Sequence, residues 1–329
     1  MALDRTVPAD TGAAKNRFLR ANGVWMALGI AALIVAPYFV YPLFLVKLLC
    51  MALFAIAFNL LIGGGGLLSF GHAAFFGSGA YFAAEVAKTW GWPFEAAVLA
   101  GTATATLLGF LFGIIAIRRQ GLYFAMITLA LAQGVYFLAL RLPFTHSEDG
   151  IQGIPRGWLL GIVDLRDNLA LYYTVAGFFL LGYLFVWRIA RSPFGQVLRA
   201  IKDNRPRMIS LGYPVDRFIL LNFVLSAALS GVAGSLKALS LGLATLTDVD
   251  WSTSGEVVLM VLLGGLGTLF GPVVGAALTV SMDDYLAGIG IPVPVVIGLI
   301  FIAVILIFRR GVVGEVLYRL SGRGSRIDP

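Results

Sequence analysis

The chain of 329 residues is apolar beyond the range of soluble proteins, with 59% hydrophobic and 12% charged residues. Soluble domains contain about 45–50% apolar and about 25% charged residues. The 24 lysines and arginines outnumber the 17 acidic residues and give a net charge of +7. So apolar a chain disfavours a soluble enzyme and makes nucleic-acid binding a weak explanation of that charge. The composition predicts that the chain lies in a lipid bilayer.

Residues that form disulfides or bind metals are few. Cys50 is the single cysteine, which excludes an internal disulfide and a cysteine-based zinc site. The two histidines, His72 and His146, stand far apart in the sequence and form no His cluster. We therefore expect Cys50 to be a small buried residue and expect no metal site.

Apolar runs of membrane-spanning length recur along the chain. A spanning helix needs about 20 mostly apolar residues. We predict an all-α, polytopic transmembrane helix bundle of about ten spans, at 24–37, 41–62, 70–87, 94–117, 121–140, 169–187, 218–240, 255–268, 270–287 and 292–308. The runs 24–37 and 255–268 are short, and either can merge with a neighbour, so counts of eight or nine stay open.

The basic residues predict the orientation, because cytoplasmic loops retain lysine and arginine. If the N-terminal tail is cytoplasmic and the spans alternate, 18 of the 24 basic residues lie inside. Both termini are then cytoplasmic. The predicted segments are an N-terminal tail at 1–23, a membrane domain at 24–309 and a C-terminal tail at 310–329. The domain has a cytoplasmic loop at 188–217 and an external loop at 141–168.

Charged residues within the spans usually mark ion paths. Here they lie near the predicted outer span ends, and we interpret them as interfacial anchors; they are Lys47, Glu85, Lys88, Lys237, Glu256, Asp283 and Asp284. Glu85 and Lys88 have the spacing of a helical ion pair. No series of carboxylates runs through the middle of the spans, which argues against an ion-gradient-driven carrier.

Glycine is abundant within the apolar runs, and small residues let helices approach closely in lipid. Two clusters interrupt helices, at 63–72 and 264–272, and match each other at an offset of 200 residues. The glycines that we assign to these breaks are Gly64, Gly65, Gly66, Gly264, Gly265, Gly267 and Gly271. Corresponding broken helices in two halves of a chain indicate a transport path. The alternative is two tight cytoplasmic turns that match by chance.

The loop 188–217 is basic and has helical patterning. Residues 195–202 can form a short amphipathic helix, and a second helix can begin at Pro206 and stop at Gly212. Two short helices on the cytoplasmic face suit the docking of a soluble partner. The alternative is a topogenic basic loop that attracts anionic lipid.

Five stretches together resemble the branched-chain amino-acid permease family of ABC importers, of the LivM type. They are GLLSFGHAAFFG at 66–77 with 79–81, GLYFAMITLA at 121–130, DGIQGIP at 149–155, LRAIKDN at 198–204 with 211–212 and 218–234, and GGLGTLFGP at 264–272 with 275–276. The resemblance extends from about residue 55 to about residue 312. Two departures stand out: the loop is unusually basic at 205–209, and the Gly64–Gly66 run lacks a polar residue usual before Ser69.

The resemblance implies one half of a permease heterodimer in the bacterial inner membrane. Its partners would be a related second permease, two cytoplasmic ATPases and a periplasmic substrate-binding protein. The segment that couples to the ATPases would contain Arg199, Ala200, Lys202, Asp203, Asn204, Arg207 and Gly212. No phosphate-binding G-x-x-x-x-G-K-[ST] loop occurs in the sequence. ATP and Mg²⁺ would therefore bind to the partner ATPases, and we expect this chain to be no enzyme and to hold no cofactor.

The resulting hypothesis is an importer permease for branched-chain or related amino acids that works by alternating access. We place six residues near the path: Asn59, Ser69, Gly71, His72, Tyr81 and Thr128. For His72, a purely structural hydrogen bond to the backbone is an equal alternative. Urea, short amides or aromatic acids are alternative substrates. A gradient-driven carrier is a weaker alternative, and an intramembrane enzyme is weaker still because catalytic groups do not converge.

Overall fold

The computed structural model describes residues 31–287, together with residues 29, 296, 298, 299, 301, 302, 311 and 313–315. The predicted span 292–308 and the two predicted tails lie largely outside the described residues, as does the start of the span 24–37. Residues 40–287 contain most of the motifs identified in the sequence, so the fold around the glycine breaks can be followed completely.

The described residues are mainly helical. In chain order the α-helices are α1 Pro42–Asn59, α2 His72–Lys88, α3 Phe94–Ala116, α4 Leu122–Arg141, α5 Asn168–Arg191, α6 Pro193–Asp203, α7 Arg205–Ser210, α8 Val215–Leu241, α9 Trp251–Gly264 and α10 Gly271–Ala287. Helix α1 continues into a π-helical turn at Leu60–Gly64, and short 3-10 turns lie at Ala36–Tyr38, Pro143–Thr145 and Leu246–Asp248. The helical-bundle prediction is confirmed.

Short strands qualify the prediction of an all-α chain. They are β1 Ile151–Gln152, β2 Trp158–Leu159, β3 Val163–Asp164 and β4 Leu243–Ala244. Strand β1 pairs antiparallel with β4, with Ile151 opposite Ala244, and β2 pairs antiparallel with β3. These ladders satisfy backbone groups in the loop between α4 and α5, which is rich in glycines with positive φ.

Within the part of the chain that the structure describes, five helical segments are long and apolar enough to cross a membrane: Pro42–Gly64, α3, α4, α5 and α8. Helix α9 is a shorter apolar helix. Helices α2 and α10, of 17 residues each, are shorter than a full span. The structure therefore supports a multi-helix membrane protein, whereas the count of about ten spans stays a prediction.

One predicted span is displaced by four residues at both ends. We expected a helix at 255–268, whereas α9 begins at Trp251 and ends at Gly264. Polar residues at the start of α9 hid its beginning, because Ser254 is fully buried and caps a neighbouring helix instead of facing lipid. The predicted end included Thr268, which lies within the second helix break.

The predicted ion pair between Glu85 and Lys88 is also wrong. The Lys88 Nζ donates to the Gln152 carbonyl oxygen at 2.8 Å, across to strand β1. Among the residues that the structure describes, no ion pair joins Glu85 to Lys88. The backbone carbonyl of the loop therefore competes successfully for the lysine, and it anchors this end of α2 to β1.

Helix α8 lies at the centre of the bundle and packs along α1, α2 and α3. The close approach depends on small residues: a Cβ on Gly79 of α2 would lie 2.6 Å from the Gly231 carbonyl oxygen of α8. A Cβ on Gly234 would collide with the Phe76 backbone, and one on Gly109 of α3 with Ala227. Dispersion contacts and backbone proximity hold these helices together, since lipid offers little hydrophobic driving force.

We predict that Gly79→Ala destabilises the folded protein by about 1–3 kcal/mol, because the added methyl group overpacks the contact between α2 and α8. The measurement is thermal or denaturant unfolding of the purified protein in detergent. Gly134→Ala in α4 is the matched control, because nothing lies within 4 Å of a Cβ at that position. Equal stability of the two variants would contradict the packing argument.

Candidate functional site

The first glycine break joins α1 to α2. After the π-helical turn the backbone reaches Gly66, which has a φ of +68° and accepts this left-handed conformation without a Cβ clash. Two side chains bind the non-helical backbone that follows: the Phe70 N–H donates to Thr128 Oγ1 at 3.2 Å, and the Gly71 N–H donates to Ser69 Oγ at 3.2 Å. The predicted interruption is confirmed, and Thr128 of α4 and Ser69 stabilise it.

The second glycine break joins α9 to α10. Gly265 and Gly267 have φ values of +116° and +76°, which other residues rarely adopt. The Thr268 hydroxyl donates to the Gly265 carbonyl at 2.9 Å and accepts from the Gly271 N–H at 3.0 Å. Gly264 and Gly271 touch so closely that neither has room for a Cβ. This interruption is confirmed as well.

The two breaks lie against each other, and Asn59 joins them. Its Nδ2 donates to the Thr268 carbonyl at 3.0 Å, and its Oδ1 accepts from the Gly267 N–H at 3.3 Å. A Cβ on Gly63 would lie 3.3 Å from the Gly267 Cα, so the two backbones are in contact. We call this pair of breaks with Asn59 the glycine junction. Whether the junction lines a transport path or joins two tight cytoplasmic turns stays a prediction.

Helix α6 lies on the first break. The Lys202 Nζ donates to the Gly63 carbonyl at 3.3 Å, and a Cβ on Gly66 would lie 2.9 Å from the Lys202 side chain. The apolar face of α6 is buried through Leu198 and Ile201, as its predicted amphipathic pattern requires. Helix α6, which is predicted to couple to the ATPases, therefore contacts the first glycine break, which is predicted to line the transport path.

Both short helices of the loop form close to their predicted positions. Ser192 caps α6 by accepting from the Gly195 N–H, and Asn204 caps α7 by accepting from the Arg207 N–H at 3.0 Å. Gly212 follows α7 with a φ of +82°. The Arg199 guanidinium donates to the Ala190 carbonyl at 2.8 Å. Of the remaining predicted coupling residues, Lys202, Asp203 and Arg207 are exposed and Ala200 is half-buried.

His72 begins α2 inside an aromatic cage of Phe58, Phe75 and Phe223, with ring centroids 5.0–6.2 Å away. Its Nε2 lies 2.8 Å from Ser226 Oγ, and the Ser226 hydroxyl donates to the Ala57 carbonyl at 2.5 Å. Because the serine has one proton, His72 donates through Nε2 and its Nδ1 remains a bare acceptor. The hydrogen bond of His72 thus goes to a serine side chain and not to the backbone, and its role near a transport path stays a prediction.

The six residues predicted near the path are only partly brought together. Asn59, Ser69, Gly71 and Thr128 meet at the glycine junction and the start of α2. Tyr81 lies further along α2, buried, with a hydroxyl that has no hydrogen-bond partner among the described residues. Whether these residues contact a transported molecule stays a prediction.

Sequence reasoning missed Asn222 of α8. Its Nδ2 donates to the Leu60 carbonyl at 3.3 Å, and it lies against Gly65, where a Cβ would approach the amide to 2.9 Å. Asn222 is completely buried. The sequence does show Asn222 as a lone amide residue in the apolar run 218–240. A polar side chain within a spanning helix needs a hydrogen-bond partner, so this residue could have been predicted to bind a neighbouring helix.

The sequence comparisons agree with this geometry. The family described as branched-chain amino acid transport system / permease component matches residues 40–309. The chain belongs to this family. The match covers every helix from α1 to α10, and it confirms the resemblance identified from the motifs.

Curated relatives place the chain more closely within the family. The high-affinity branched-chain amino acid transport system permease protein LivM of Salmonella typhimurium is 31% identical over 246 residues, 68% of this chain and 58% of that protein. LivM of Escherichia coli is 30% identical over 245 residues, with the same coverage. The autoinducer 2 import system permease protein LsrC of Klebsiella pneumoniae is 28% identical over 179 residues, 48% of this chain and 52% of that protein.

The chain spans less than two thirds of the length of these relatives. No solved structure matches it significantly. The family assignment therefore rests on sequence, and the geometry of the glycine junction comes from this structure.

We predict that Asn59→Ala destabilises the protein by about 1–3 kcal/mol, because the Gly267 N–H and the Thr268 carbonyl lose two partly buried hydrogen bonds to the same side chain. Unfolding in detergent measures this loss. Asn168→Ala is the matched control, since Asn168 makes a single bond to Arg156 near the protein surface. A loss of stability at Asn59 no larger than that at Asn168 would contradict the conclusion that Asn59 stabilises the glycine junction.

A double-mutant cycle tests the structural interpretation of His72. Ser226→Ala leaves the His72 Nε2 donor unpaired, whereas His72→Phe combined with Ser226→Ala replaces both partners by apolar groups within an aromatic cage. We expect the two substitutions to be coupled by about 0.5–3 kcal/mol, with the double variant more stable than the sum predicts. Additive effects in unfolding experiments would show that the pair does not interact.

Proposed function

We propose that the chain is the permease subunit of an ATP-driven ABC importer for branched-chain or related amino acids. It would work by alternating access, with energy from separate ATPase subunits. The observation that carries the proposal is the contact of α6 with the glycine junction, through Lys202 and the Gly63 carbonyl. This contact supports a mechanical link between a solvent-exposed docking segment and the helices within the membrane.

The α6–α7 segment has the surface expected of a docking site. Ile209 and Leu211 are 57% and 63% exposed, and they lie among the exposed polar residues Lys202, Asp203 and Arg207. An apolar pair surrounded by charges is typical of a protein interface. The proposed occupants are two cytoplasmic ATPase subunits, which would bind ATP and Mg²⁺.

The glycine junction would transmit a displacement of α6 to both halves of the bundle. A displacement of Lys202 would move the Gly63 carbonyl through their hydrogen bond. The hydrogen bond between Asn59 and the Thr268 carbonyl would extend this movement to the break between α9 and α10. Glycine-rich backbone bends at low cost, because its φ and ψ angles are less restricted. Helices α1, α2, α9 and α10 would therefore reorient together when the ATPases close.

The remaining partners follow from the same proposal. A related second permease would complete the membrane domain, and a periplasmic binding protein would deliver the substrate. Both termini of this chain would be cytoplasmic in the bacterial inner membrane. Selectivity would be shared with the binding protein.

Substrates other than branched-chain amino acids are the second candidate, because LsrC is named as an autoinducer 2 import permease and is 28% identical to this chain. Similar permease sequences therefore serve solutes other than amino acids. Urea, short amides and aromatic acids are the alternatives for this chain. Uptake of a panel of radiolabelled solutes distinguishes them.

Reconstitution tests the proposal. The chain is assembled in proteoliposomes with its second permease and both ATPases, and the binding protein is added outside. We expect uptake of radiolabelled leucine that requires ATP. Uptake by this chain alone under an imposed ion gradient would contradict the proposal and favour a secondary carrier.

We predict that Lys202→Gln lowers ATP-driven uptake about two- to tenfold, the equivalent of one lost hydrogen bond of about 0.5–1.5 kcal/mol. ATP hydrolysis and complex assembly should change less than uptake. Lys88→Gln is the matched control, because Lys88 donates to the Gln152 carbonyl at the other end of the bundle. Equal effects of the two substitutions would contradict a coupling role for Lys202.

A further inference from the structure

A polar chamber lies at the end of the bundle opposite to the α6–α7 segment. It has a volume of about 200 Å³ and is bounded by α1, α2, α8, α9 and α10. Its charged lining residues are Lys47, Lys237, Asp248, Glu256 and Asp283. Lys47 in α1 and Gly63 in the π-helical turn that continues α1 are 16 positions apart, which at about 1.5 Å per residue is about 24 Å. The chamber is therefore distinct from the glycine junction.

The first ion pair of the chamber is buried. Lys237 donates to Asp248 Oδ1, and only 17% of the lysine side chain and 5% of the aspartate side chain are exposed. The other oxygen, Asp248 Oδ2, accepts from the backbone N–H and the hydroxyl of Thr245, each at 3.1 Å. Asp248 is thus fully engaged, whereas an ammonium group has three N–H donors and Lys237 uses one here.

The second ion pair is more open. The Lys47 Nζ lies 3.1 Å from Asp283 Oδ2 and 2.8 Å from Asp284 Oδ1, with about a third of the lysine side chain exposed. Glu256 of α9 faces the same chamber. Among the described residues, no hydrogen bond or ion pair is formed by its carboxylate. The chamber therefore presents spare ammonium donors and one unengaged carboxylate across a small space.

Apolar side chains form the rest of the wall. Met51, Phe76, Met260 and Val280 line the chamber beside the charges. The Phe76 ring also lies 5.8 Å from the Lys237 Nζ, within the range of a cation–π contact. A ligand with two charged ends and a short aliphatic side chain would match this combination of groups.

We propose that this chamber binds the transported amino acid as a zwitterion. The ligand carboxylate would accept from Lys237 and Lys47, its ammonium group would donate to Glu256, and its aliphatic side chain would pack against the methionines and Val280. The proposal rests on the importer function proposed above and specifies its substrate class. A neutral solute such as urea would leave the Glu256 carboxylate without a charged partner, and an anion would face three carboxylates.

Ligand binding to the complex tests the chamber directly. The permease pair with its ATPases is placed in lipid nanodiscs without the binding protein and without nucleotide. Binding of leucine is followed by saturation-transfer NMR, together with 4-methylpentanoate, which lacks the ammonium group, and 3-methylbutylamine, which lacks the carboxylate. We expect both analogues to bind at least about tenfold more weakly than leucine, because each leaves charged groups unpaired.

Glu256→Gln should weaken leucine binding about tenfold or more and abolish the preference for leucine over 4-methylpentanoate. Lys47→Gln should reduce the preference over 3-methylbutylamine in the same way. Glu85→Gln is the matched control, since Glu85 is a carboxylate of α2 that does not line the chamber. If a variant fails to assemble, the affinities of the three ligands for the wild-type complex still test whether binding requires both charges of leucine.

Either of two binding results would overturn the chamber proposal. One is that the wild-type complex binds leucine and 4-methylpentanoate equally, and the other is that the Glu256→Gln complex binds leucine within twofold of wild type. Absence of leucine binding to the wild-type complex would overturn it as well. ATP-driven uptake by the complete importer separates the two proposals. Uptake of leucine without charge-dependent binding would reject the chamber alone, whereas absence of ATP-driven amino-acid uptake would reject the importer function.

Discussion

The structure depends on how the backbone N–H and C=O groups find hydrogen-bond partners where helices end inside an apolar bundle. A helix break frees N–H and C=O groups, and lipid provides no partner for them. This chain solves the problem by placing two breaks against each other and joining them through Asn59, which donates to Thr268 and accepts from Gly267. Polar side chains from α4, α8 and α9 complete the arrangement. The irregular backbone is thereby hydrogen-bonded within the protein, although Gly66 and Gly267 themselves are exposed.

Close helix packing makes this arrangement compact enough to act as a unit. Helix α8 approaches α2 and α3 to backbone contact at Gly79, Gly109 and Gly231. The same helix carries Asn222 and Ser226, which bind carbonyl groups near the end of α1. In the proposed mechanism, a movement at the α6–α7 segment would act on tightly packed backbone. One end of α8 adjoins the α6–α7 segment, and Lys237 near the other end lines the charged chamber.

Much of the helical order could be predicted because apolar runs and glycine clusters are local signals. Helices α1 to α5 and α8 lie within about four residues of their predicted bounds, and both breaks and both short loop helices form. Helix α9 also lies within four residues of its predicted bounds, but it is displaced at both ends because its buried Ser254 resembles a loop residue in sequence. The Glu85–Lys88 pair was wrong because spacing reveals helical neighbours, whereas the competing Gln152 carbonyl comes from a strand 64 residues away.

The sequence by itself determined the bilayer as solvent, the positions of the helices and the places where they break, because hydropathy and glycine content act over short distances. The family assignment also came from sequence motifs. The tertiary contacts alone establish that the two breaks touch, that Lys202 donates to the Gly63 carbonyl, and that five charged side chains from five segments line one chamber. Those contacts join residues up to 237 positions apart, as in Lys47 and Asp284, so no local pattern encodes them.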